Sequence, residues 1–150
     1  MGVEEELSIS KVIREALLLS ETLGAAKTVD VLRNMRTVND FNMELREHII
    51  KCVLNNYNIK WVHLIAKENR TYEAERMDAL TIISLMLSKY CGYSYLEIAK
   101  TLKKEGKQNI VYYVNRSKKL SSKNPSDIKL RNDLVKIEAE INIFIENYPI

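Results

Sequence analysis

Apolar residues recur along this chain at three- and four-residue spacing, the period of an α-helix that buries one face. Residues 5–23 carry such a stripe in Ile9, Val12, Ile13, Ala16 and Leu17, with Gly24 placed to end it. A second run, 25–35, turns Val29, Leu32 and Met35 inward, and Thr37-Val38-Asn39-Asp40 reads as a connection. The third run, 41–56, aligns Leu45, Ile49, Cys52 and Val53, and Asn55-Asn56-Tyr57-Asn58 stops it. A short helix over 59–66 follows, then a loop at Glu68-Asn69-Arg70, with Thr71 able to cap a long helix running to about residue 90. Ala79, Ile82, Ile83, Met86 and Leu87 form its stripe, and Gly92 is its stop signal. β-branched pairs such as Ile110-Val111 sit inside the same helical period. The pattern predicts an all-α chain of about seven or eight helices.

Residues 94–123 read as two short amphipathic helices around a tight turn. Ser94 followed by Glu97 matches a capping box, and Ile98, Ala99 and Leu102 face inward. Residues 103–106 form the turn, where Gly106 can take the left-handed conformation at no steric cost. The next helix, 107–120, packs Ile110, Val111 and Val114. After a polar loop containing Pro125, a last helix over 127–147 carries Leu130, Leu134, Ile137, Ile141, Phe144 and Ile145.

Charge sharpens this picture. The chain of 150 residues has net charge +3, but residues 45–123 hold fifteen basic and seven acidic residues, net +8, while both flanks are acidic. Residues 94–123 alone contain eight Lys or Arg. A helix-turn-helix presents one helix to a DNA groove, and positive charge on it attracts phosphate. A solvated lysine-rich face is the competing reading of that charge.

On the 107–120 helix the spacing lines up Gln108, Tyr112, Asn115 and Lys119, with Asn109, Tyr113 and Arg116 beside them. Gln and Asn can pair with adenine through two hydrogen bonds, and Arg or Lys with guanine. Lys107, Gln108, Asn109 and Tyr112 are therefore the candidate base readers. Lys100, Lys103, Lys104, Arg116, Lys118 and Lys119 are the candidate phosphate contacts.

Other chemistry finds little support. The two histidines, His48 and His63, have no convincing metal-ligand spacing around them, so no metal or cofactor is expected. The four glycines are too dispersed for a phosphate loop, and no nucleophile sits in a recognisable motif, so no enzyme is expected. Cys52 and Cys91 read as buried free thiols in a reducing cytoplasm. No apolar run approaches a membrane span, and the acidic N-terminus does not read as a signal peptide. Trp61 reads as a core or half-buried packing residue.

From about Leu45 to Ile141 the sequence resembles the C-terminal DNA-binding domain of the bacterial replication initiator DnaA. The matching runs are NNYNIKWVHLIAKENR, ERMDALTIISLMLSKYCGYSYLEIAKTL and NIVYYVNRSKKL. Within them Ser94-Tyr95-Leu96-Glu97-Ile98-Ala99 is similar to that family's S-L-P-E-I-G. The resemblance implies a compact Trp-repressor-like multi-helix domain over 45–150. It also implies Arg70 as the basic-loop DNA contact. Residues 1–44 match nothing in that family, and their length and apolar stripes suggest an N-terminal helical extension that packs on the domain or mediates self-association. The chain departs where that family carries G-G-R-D-H-T/S-T-V-L/I-H. Here Lys103 to Tyr112 read KKEGKQNIVY, keeping only the Ile110-Val111 pair in kind. The scaffold carries over in this comparison, and the base-reading residues do not. No counterpart of the initiator's ATPase region is present in the sequence, so no ATP-driven step is expected.

Two functions follow as expectations. The first is a phage or bacterial duplex-DNA-binding protein acting in replication or transcription. The second is a helical interaction module that kept the fold, lost specific DNA reading, and binds a partner or a second copy through residues 1–44.

Overall fold

Neither glycine nor proline interrupts residues 25–57, and the computed structural model of this chain runs them as one helix, α1 (Ala25–Tyr57). The structure describes residues 25–66 and 73–149, with side chains from residue 38 onward. Five further helices follow: α2 (Trp61–Leu64), α3 (Glu73–Cys91), α4 (Tyr95–Thr101), α5 (Gln108–Lys118) and α6 (Pro125–Asn147). No strand occurs among the described residues, so the described fold is all-α.

The connection expected at Thr37-Val38-Asn39-Asp40 is thus helical. Thr, Val, Asn and Asp each cost only about 0.5 kcal/mol in a helix relative to Ala, too little to break one without Gly or Pro. The helix expected over 5–23, its Gly24 cap, and the loop with Arg70 and Thr71 lie outside the described residues.

The chain divides into two compact units, Met1–Met43 and Glu44–Ile150. Every buried residue described belongs to the second. There α3 is central and contacts α2, α4, α5 and α6. Its stripe of Ala79, Ile82, Ile83, Met86 and Leu87 is buried, as the spacing predicts. Leu45, Ile49 and Val53 of α1, Ile98 of α4, Ile110 of α5, and Leu130, Ile137 and Ile141 of α6 join it. Each fully buried Leu or Ile contributes about 1.5–3 kcal/mol relative to an exposed one.

Short-range chemistry sets the boundaries. Asn58 takes the left-handed conformation (φ 53°) after α1, and the Ile59 N–H reaches back to the Leu54 carbonyl at 3.0 Å. Gly92 (φ 67°) ends α3. The Ser94 hydroxyl accepts from the Glu97 N–H at 3.2 Å and starts α4. Asn124 caps α6 through its Oδ1, which accepts from the Ser126 N–H at 2.9 Å, and Pro125 fills the first helical position. That proline, read from sequence as part of a loop, lets α6 begin two residues earlier than its apolar pattern.

Cross-links between helices are polar as well. The Tyr57 hydroxyl donates to Asp133 Oδ2 at 2.8 Å, tying the end of α1 to α6. Lys89 and Tyr90 of α3 both donate to Glu138 of α6. Arg76, buried in α3, donates to the carbonyls of Leu64 and Ala66, holding α2 and the strand of backbone after it against α3. Cys52 and Cys91 are buried free thiols, and burial pushes both up to about 11. Burial thus favours the thiol over the nucleophilic thiolate at neutral pH.

Candidate nucleic-acid interface

The α4–turn–α5 segment begins from a fixed platform. Ile98, Ala99 and Leu102 anchor α4, and Ile110, Tyr113 and Val114 anchor α5. Between them the chain reverses through a paired cap: the Lys103 N–H bonds the Lys100 carbonyl at 3.2 Å, and the Lys104 N–H bonds the Ala99 carbonyl at 2.8 Å. This arrangement needs one left-handed residue directly after the helix. That residue is Lys103 (φ 58°), and Gly106 does not adopt a positive φ. The glycine expectation misplaced the turn's tight point by three residues, because α4 ends at Thr101 and its cap falls on the next two positions.

Beyond the turn, Lys107 occupies the cap position of α5 with no side-chain cap, and the first turn of α5 holds no acid. The face opposite Ile110 and Val114 presents Gln108, Tyr112, Asn115 and Lys119, all exposed, with Asn109 exposed beside them. Lys100 near the end of α4, Lys103 in the turn and Lys107 at the cap of α5 are exposed, as are Lys118 and Lys119 at the end of α5. From Lys107 to Lys118 is about 16 Å along a helix rising 1.5 Å per residue.

Three residues sit differently from their sequence reading. Tyr113, expected beside the exposed stripe, is 5% exposed and belongs to the packed face. Arg116, a candidate phosphate contact, turns back onto α3. Its Nη2 donates to Asp78 Oδ1 at 2.7 Å and its Nη1 to Thr81 Oγ1 at 3.4 Å. Asp78 is buried, so a cation beside it offsets the desolvation of its carboxylate. Lys104 is half-buried near Arg76 and Glu73, and burial, with the Arg76 charge, lowers its pKa. A signal for Arg116 was present in the sequence: Asp78 lies three and four residues before Thr81 and Ile82 on the apolar stripe of α3, where an acid requires a partner.

Among the described residues no group of His, Cys, Asp or Glu is arranged to hold a metal ion, and no helix is long and apolar enough to cross a membrane. Comparison with family models, with curated proteins and with solved structures returns no match.

Proposed function

We propose that this chain binds duplex DNA through α4, the turn after it and α5, a helix-turn-helix of the initiator C-terminal type. The observation that supports this most is the layout of α5. An exposed stripe of Gln108, Tyr112 and Asn115 is flanked by lysines at both helix ends. A major groove is about 12 Å wide. A helix lying in it with its ends about 16 Å apart sets each lysine group against one phosphate wall. Lys100, Lys103 and Lys107 meet one wall, and Lys118 and Lys119 the other. Gln108, Asn109 and Tyr112 face the base edges between them, while Lys107, read from sequence as a base contact, is assigned to the phosphate group at the helix start. Arg116 holds α5 on α3 instead, and Lys104 contributes less because it is partly withdrawn from solvent.

Anisotropy of a labelled duplex pool at ~50 mM salt tests this reading, since phosphate contacts act most strongly there. Replacing Gln108 and Tyr112 together with Ala leaves stability within ~0.5 kcal/mol, as both are exposed, and removes any sequence preference. Undetectable duplex binding by the unmodified chain overturns the proposal.

A further inference from the structure

A second surface adjoins the first. An open groove of about 630 Å³ lies between α1, the start of α2 and the end of α4, lined by Arg46, Lys51, Leu54, Ile59, Trp61 and Lys103. Its α1 wall runs from Arg46 to Asn55, about 13 Å of helix. The floor is aliphatic, made by Ile50, Leu54 and Ile59, with the half-buried Trp61 indole at one side. The rim carries three cations, Arg46, Lys51 and Lys103, against one acid, Glu47, which itself lies 3.9 Å from Arg46.

We propose that this groove docks an acidic amphipathic helical peptide of a partner protein, its apolar side chains on the floor and its carboxylates on the cationic rim. Charge complementarity selects an anionic occupant. The floor selects between anionic polymers. Single-stranded nucleic acid is held by successive aromatic platforms, and among the described residues only one aromatic ring lines the groove. Duplex DNA is too broad to reach an aliphatic floor. An amphipathic helix of about nine residues matches the 13 Å wall and fills a groove of this kind with side chains at i, i+3 and i+4.

Trp61 is the chain's single tryptophan, so its fluorescence reports on the groove directly. The probe is a capped ten-residue peptide of Glu and Leu with the leucines at helical spacing. Titration is expected to give a saturable shift in Trp61 emission. Lys51→Glu weakens it by about tenfold, while Lys119→Glu leaves it unchanged. Both lysines are exposed, and Lys51→Gln gives a milder check should Lys51→Glu unfold the chain. No saturable response up to ~1 mM peptide overturns the proposal, since weaker association is not specific docking. An equal response to an all-Glu peptide overturns it too, because the floor is then unused. A stronger response to oligo-dT assigns the groove to nucleic acid and overturns it likewise. Duplex anisotropy on the same samples keeps this separate from the DNA reading: peptide binding without duplex binding removes only that reading, and the converse removes only this one.

Discussion

Lys103 is a residue in which conformation and charge oppose each other. A lysine at φ 58° stores about 1 kcal/mol of steric cost that glycine at that position does not. Lys103→Gly is therefore expected to raise unfolding free energy by about 1 kcal/mol in a urea titration and, at the same time, to weaken duplex binding. Lower stability in that variant would refute the cap geometry. Gly106→Ala makes the contrast. The added Cβ meets only the end of the flexible Gln108 side chain, which can move aside, so the change is expected to be small. Arg116 presents the reverse situation, a basic residue whose work is structural. Its pairing with Asp78 predicts a coupling of about 1–3 kcal/mol in a double-mutant cycle of Arg116→Ala and Asp78→Ala. Additive effects of the two changes would return Arg116 to solvent and to the phosphate contacts.

Among the described residues, the faces that helices bury were legible in the apolar period; where helices break and end, and what their polar edges touch, was less so. The α3 stripe and the inward residues of α4 stand where the spacing put them, because burial rewards that pattern wherever the partner helix lies. The break at residues 37–40 failed because weak helix formers were read as breakers, although only Gly or Pro carries a penalty large enough. On α5 the stripe of Gln108, Tyr112 and Asn115 emerged exposed as read, whereas Tyr113 and Arg116 lie on its edge, where a few tens of degrees decide between solvent and α3. Long-range polar links between helices leave no local pattern at all, and the Glu138 clamp joining α6 to Lys89 and Tyr90 of α3 is the clearest case. These bonds favour the carboxylate and hold Glu138 below the usual carboxylate value. A depressed folded-state pKa contributes stability that is present above the unfolded value and lost as pH falls through the folded one. Glu138→Gln is thus expected to cost about 0.5–1 kcal/mol at neutral pH, the scale of a largely solvated pair, and progressively less as pH falls through the lowered folded value. A pH-independent difference between the two proteins would show that packing, not charge, supplies the link.

At the scale of the molecule, positive charge concentrated between two acidic flanks gives the proposed DNA binding a definite expected dependence on salt and pH. Five exposed lysines, Lys100, Lys103, Lys107, Lys118 and Lys119, bracket α5. If each neutralises one phosphate, the logarithm of affinity falls against the logarithm of salt with a slope of about −4.5. Removing any one of them by substitution with Gln lowers that slope by about 0.9, whichever end of α5 it comes from. Arg116→Gln is expected to leave the slope unchanged while lowering stability, which separates a lysine that meets DNA from an arginine that holds the helix. The pH profile follows from the same groups. Neither histidine lies on α4, the turn or α5, so affinity is expected to be flat from about pH 6 to 8, below the lysine range. Above that, Lys104 loses its charge below the ordinary lysine value, because burial and the Arg76 guanidinium lower its pKa. An alkaline loss of affinity that Lys104→Gln moves to higher pH would place Lys104 among the phosphate contacts. An unshifted profile would assign that loss to the exposed lysines and leave Lys104 as a packed residue of the turn.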